Sequence, residues 1–229
     1  MMVGGTGTGG APVKRPLILL GYGGNVVDVI DMVDDLNDAA GPGDARYEIL
    51  GYMDNRDELQ GKEFFGYPVL GKLAEAGKYV ERYGHVRFTT WIGRVETYQR
   101  RPRMIASLGV PAERFETLVH PTTYVSRRAT VGRGALIYQH CTVSNSAVIG
   151  NHVVVLPHAV VTSNVTVGSA ARVGRAAYLG THCCMLPEVQ IGEGSLVGIG
   201  SVVLRDVAPY TVVVGNPARV LREAARDSG

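Results

Sequence analysis

The chain has 229 residues, 45% of them hydrophobic, and its 23 Lys and Arg against 21 Asp and Glu leave a net charge of +2. This is the balance of a globular chain with room for one large or two small domains, and it offers no basic run interleaved with aromatics for nucleic acid. No apolar run approaches the roughly 20 residues that a membrane span needs, so neither nucleic acid nor membrane is an expected partner.

In chain order, the opening MMVGGTGTGGAPVKRP lacks the hydrophobic centre of a signal peptide and reads as a flexible tail over 1–15. RPLILLG reads as a strand, GYGGN as a loop, and VVDVIDMVDDL as a helix in which Val26, Val27, Ile30, Val33 and Leu36 recur at helical spacing. After the Gly/Pro break AAGPGDAR come the strand YEILGYMD, the stretch GYPVLG, a helix in KLAEAGKYVERYG and the strand HVRFTTWIG. The alternation predicts a small Rossmann-like parallel α/β domain over 16–120, with its ligand site at the strand ends. Gly21 and Gly23 match the start of a dinucleotide fingerprint, but Val26 stands at the third glycine, which argues against a full nicotinamide site.

From Thr123 to Asp206 the chain divides into 14 hexads without an insertion, beginning TYVSRR, ATVGRG, ALIYQH. The third position is always Val, Ile, Leu or Met, and the first is always Thr, Ala, Cys, Val or Ser. A branched apolar residue beside a small one on each short strand is the requirement of a tightly wound parallel β-helix. A sandwich strand would repeat every two residues and a helix every 3.6. Cys141 and Cys183 take the small first position and are expected in the interior. With Cys184 they are too few for a disulfide framework and have no metal-ligand spacing, so a reducing cytoplasm is the expected compartment and no metal is expected.

The hexads resemble the signature of left-handed β-helix acyltransferases. With GYGGN, LGYMDN, FFGYPVLG, LVHPTTYVS and VGNPARVLR, the chain is similar over roughly 16 to 222 to bacterial sugar acyltransferases of the PglD and NeuD type. The resemblance implies a three-faced prism over 121–229, with one hexad per face, three per coil and four to five coils, closing in GNPA and a short C-terminal helix. It also implies a homotrimer with active sites between prisms. The implied reaction moves an acetyl group from acetyl-coenzyme A, as co-substrate, to the amine of a nucleotide-linked amino sugar. Carried over by residue, Gly21, Gly23 and Gly24 approach the phosphates of the nucleotide sugar, Asp54 accepts from the nucleobase, and Asn25 and Asn55 belong to the same site. Gly180, Thr181, Gly198 and Gly200 line the pantetheine arm, and Arg205, Arg219 and Arg222 meet the phosphates of coenzyme A.

An ammonium cannot attack a thioester, so a base near neutral pKa must accept a proton, and histidine is the natural choice. Backbone N–H groups are expected to hold the oxyanion. In the resembled subfamily the base is a histidine at the fifth position of a hexad. Counting forward from LVHPTTYVS, Ser163 stands there, followed by Asn164; counting back from VGNPAR, it is Asn151, followed by His152. The counts differ by two hexads, so 12 residues that the subfamily carries after its base are missing, and Asn25 stands where relatives often place a sugar-contacting histidine. His140, His152, His158 and His182 each take the sixth position of a hexad. A coil of 18 residues stacks His140 on His158 and puts His152 on another edge. A relocated base is therefore expected at His152 or His158, against the alternative that each is merely an exposed corner residue. A chain that binds or otherwise processes a nucleotide sugar without acyl transfer, and a sugar O-acetyltransferase, are the competing readings. His120, before Pro121, is expected to fix the entry to the prism.

Overall fold

The computed structural model describes residues 14–23, 26–41, 46–91, 101–163, 166–167 and 177–223. Gly24, Asn25 and Asn164 lie outside the described residues, as do residues 1–13.

The first domain is built from β1 (Arg15–Leu20), α1 (Val26–Ala40), β2 (Tyr47–Met53), β3 (Glu63–Phe64), β4 (Tyr67–Gly71), α2 (Ala76–Arg82), β5 (Arg87–Thr90) and α3 (Arg101–Ala106). Its sheet runs β3-β4-β2-β1-β5, parallel throughout except for the β3–β4 hairpin. The predicted strands and helices are present; the hairpin and α3 are additions. β1 lies between β2 and β5 with Leu17, Ile18, Leu19 and Leu20 buried, the continuous apolar run that a strand covered on both faces requires. α1 buries Val26, Val29, Ile30, Met32, Val33 and Leu36 along one face, each stabilising the fold by about 1.5–3 kcal/mol.

The second domain is a parallel β-helix with three faces. Among the described residues, the first face carries Leu118–Val119, Leu136–Ile137, Val154–Val155, Tyr178–Leu179, Leu196–Val197 and Thr211–Val214. The second carries Tyr124–Val125, Thr142–Val143, Val160–Val161, Cys184–Met185 and Val202–Val203, and the third Thr130–Val131, Val148–Ile149, Thr166–Val167 and Gln190–Ile191. The hexad's third and first positions fill the interior as expected: Ile137, Val143, Ile149, Val155, Val161, Leu179 and Val197 are buried with Ala135, Ala147, Ala159, Ala177 and Cys183.

One expectation is corrected: the coils do not keep an 18-residue step throughout. Leu136 pairs with Val154, 18 positions on, but Val154 pairs with Tyr178, 24 positions on, and the other two faces make the same jump. The longer step spans residues 168–176, which lie outside the described ones. ARVGRA keeps the sequence pattern, so periodicity alone gave no sign of this. At the end of the chain, Arg219–Glu223 is a strand antiparallel to Thr211–Val214, an addition to the sequence reading; the stretch left for the expected short helix, 224–229, lies outside the described residues.

The α/β domain packs on the first face of the prism. Val29, Val33 and Leu36 of α1 share one buried cluster with Leu118, Leu136, Tyr138, Val154 and Leu156. His120 ties the junction, as expected, with Nε2 2.7 Å from the Asp35 carboxylate on α1.

Candidate functional site

At the C-terminal end of β1 the chain turns through Gly21, whose φ of 97° favours glycine, and its N–H donates to the Met53 carbonyl. Asp54 holds the rest of this loop. One carboxylate oxygen accepts the Tyr22 N–H at 2.8 Å, and the other accepts the Arg56 backbone N–H at 3.0 Å and its Nε at 2.9 Å. Burial by itself would raise the Asp54 carboxyl, but these hydrogen bonds from Arg56 and Tyr22 outweigh it and hold it below its usual range. The expected nucleobase acceptor is thus already engaged by donors of its own chain. Arg56 also donates to the Tyr22 carbonyl and lies 5.7 Å from the centre of the Tyr22 ring, which packs at 4.5 Å on Phe64. Asn55 accepts the Leu73 N–H and holds the start of the next turn.

Trp91, just past β5, bridges from this loop to the prism. Its indole Nε1 lies 3.4 Å from where a Cβ would stand on Gly23, and its ring meets Tyr138 edge-on at 5.9 Å. Tyr138 is two residues before His140, at the edge where the first face turns into the second.

That edge carries three histidines rather than two. His140 and His158 stack with ring centroids 5.0 Å apart and planes at 24°, and His158 and His182 stack at 4.7 Å and 11°. His182 follows His158 by 24 residues, which an 18-residue coil would place on another edge; the 24-residue pairing step brings it here. The three have φ of 57°, 61° and 56°, in the left-handed region where Asn, Asp and His are enriched, which explains why histidines recur at the sixth position. All three residues are exposed. Above His182, the Gly200 N–H donates to the Thr181 carbonyl at 2.9 Å. A Cβ on Gly180 would stand 2.7 Å from the Ile199 nitrogen, so the coils approach here as only glycine permits. Gly180, Thr181, Gly198 and Gly200 therefore continue the same edge. Arg205 is exposed past the second-face strand Val202–Val203, at a different corner, and Arg219 is exposed on the terminal strand opposite Val214.

His152 is placed differently. It is buried on the edge between the third and first faces, with its ring edge-on to Phe115 at 4.6 Å and against Gly134, where a Cβ would come within 2.5 Å of Nδ1. The two fifth-position residues have structural partners: the Ser163 hydroxyl donates to Asn145 Oδ1, and Asn151 Oδ1 accepts the Arg133 N–H. Neither lies on the histidine edge. Burial raises the Cys141 thiol to about 11 and the Cys183 thiol to about 12, in keeping with interior residues. Among the described residues no three His, Cys, Asp or Glu form a group suited to a metal ion, and no helix is long and apolar enough to cross a membrane.

No protein-family profile matches the chain. A Staphylococcus aureus (strain COL) protein that carries an acetyltransferase name is 48% identical over 50 residues, which is 22% of this chain and 25% of that one. The chloramphenicol acetyltransferase of Escherichia coli is 39% identical over 46 residues, 20% of this chain and 22% of its own. The chain thus spans about a quarter of the length of the curated relatives it matches. Solved structures match far more of it. A histidine variant of GDP-perosamine N-acetyltransferase from Caulobacter crescentus, in complex with CoA and GDP-perosamine, covers 91% of this chain and 97% of its own at 23% identity and a TM-score of 0.66. The acetyltransferase domain of PglB from Neisseria gonorrhoeae, in complex with acetyl coenzyme A, covers 91% and 100% at 25% identity and a TM-score of 0.61. WeeI from Acinetobacter baumannii covers the same shares at 22% identity and 0.62. The two-domain architecture, a Rossmann-like unit followed by a left-handed β-helix, is that of these proteins and bears out the resemblance in the sequence.

Proposed function

We propose that the chain transfers an acetyl group from acetyl-coenzyme A to the amine of a nucleotide-linked amino sugar. One observation carries this reading: a single prism edge runs from Trp91 and Tyr138, beside the glycine loop, through His140, His158 and His182 to the close-packed Gly180, Gly198 and Gly200. The acceptor end, a histidine base and the donor end thus share one line, with rungs about 4.8 Å apart. The fold relatives that hold CoA and GDP-perosamine support the same pairing of ligands.

His158 is the base in this reading. It accepts a proton from the acceptor amine as nitrogen attacks the thioester carbonyl; the C–N bond forms, the C–S bond breaks, and the thiol leaves with a proton. Backbone N–H groups of the neighbouring coils stabilise the oxyanion. His152, buried under Phe115, supports the wall of the prism instead. Gly21, Gly23, Gly24 and Asn25 receive the diphosphate, and Arg205 and Arg219 the phosphates of coenzyme A. The working form is a homotrimer in the cytoplasm. Tyr124, Leu186 and Leu204, exposed on the second face, support a partner prism there.

Calorimetric titration with acetyl-coenzyme A tests the reading first, followed by thiol release with UDP- and GDP-linked amino sugars. Micromolar binding, turnover with an amino sugar, and a loss of at least 100-fold in His158→Ala are the expected results. A folded protein that binds nucleotide sugars but not acetyl-coenzyme A would replace transfer by binding, the reading that Ser163 and Asn151 in the usual base positions favour.

A further inference from the structure

We propose that His140 and His182 are positioning residues that hold the ring of His158 between them; this rests on His158 as the base. The His158 imidazole has a neighbour on each face, at 5.0 Å and 4.7 Å, with planes within 24° and 11°. The residue is nevertheless exposed. With both faces covered, its exposure lies along the ring perimeter, where the two nitrogens are. Tilting the ring about Cβ–Cγ drives its edge into one neighbour or the other, so the stack holds the His158 ring in one plane, edge outward.

The backbone keeps the rungs in register. The His140 N–H donates to Thr122 Oγ1 at 3.1 Å, the His158 N–H to the Gln139 carbonyl at 3.2 Å, and the His182 N–H to the Pro157 carbonyl at 3.2 Å. Similar φ at the three corners gives each rung the same left-handed turn. A reactive group fixed in its working orientation needs no ordering at the moment of reaction, and misplacement by about 1 Å costs up to about 100-fold in rate. The outer rings act through His158 and make no bond to either substrate.

The test separates ring from backbone. His140→Asn and His182→Asn keep a residue that tolerates positive φ but remove the ring; His140→Phe and His182→Phe keep a flat ring that cannot take a proton. With six histidines in the chain, a ¹³C-histidine spectrum has few enough ring signals for the order of the His158 ring to be followed without any substrate. The expected result is a more mobile His158 ring in the Asn variants, with kcat for acetyl transfer down about 10- to 100-fold at unchanged KM for acetyl-coenzyme A, and recovery of both in the Phe variants. Asn variants with a wild-type His158 ring, or Phe variants that fold with wild-type stability yet are as impaired as the Asn ones, would overturn the proposal. Full turnover in a folded His158→Asn protein would instead remove His158 as the base, an outcome read on a different variant.

Discussion

Asp54 shows how one carboxylate can decide a loop. It accepts the Tyr22 N–H and two donors of Arg56, so Asp54→Ala leaves those groups without their acceptor and should destabilise the protein by about 1–3 kcal/mol in chemical denaturation. Because its folded pKa lies below the unfolded value, the stability it supplies is fully present above the unfolded carboxyl pKa and is lost as pH falls through the folded one. Stability curves of wild type and Asp54→Ala should therefore converge in acid and diverge toward neutral pH. The sequence marked Asp54 as part of the site, but as a ligand group; its engagement by Arg56 depends on a side chain two residues on folding back, which no spacing rule encodes.

At the level of the elements, the strands of the prism were legible because burial in a narrow β-helix leaves no freedom in the pattern: every coil repeats the same inward pair. The step between coils was not, since it lengthens from 18 to 24 residues where ARVGRA continues the sequence pattern unbroken. The error passes directly to the site, as it places His182 on the wrong edge and leaves a pair of histidines where the fold makes a row of three. The C-terminal strand was missed because Arg219–Glu223 carries no alternation of its own and is specified by Thr211–Val214 beside it. Close approach of coils sets a sharper demand. A Cβ on Gly180 would meet backbone of the next coil at 2.7 Å, and backbone cannot rotate away. Gly180→Ala should cost about 1–3 kcal/mol and lower the melting temperature by several degrees, whereas Gly200→Ala, with nothing within 4 Å but a φ of 65°, should cost less.

The two domains share one buried cluster along the first face of the prism, and the second face is left with exposed Tyr124, Leu186 and Leu204. If that face is covered by a second prism, sedimentation should give a trimer, and Tyr124→Asp together with Leu204→Asp should yield smaller species. The domain order and the two-domain plan were readable from the chain, because a βα alternation and a six-residue repeat are incompatible periods and mark their own boundary. The way the domains meet was not, since it depends on α1 finding Leu136 and Val154. Trp91 stands at that meeting point, between Gly23 and Tyr138, and the chain has one tryptophan. The protein consequently contains its own optical probe: all indole emission comes from the seam where the acceptor is proposed to sit. A nucleotide sugar entering there should change that emission, so the acceptor can be sought by fluorescence among unlabelled candidates before any turnover has been seen.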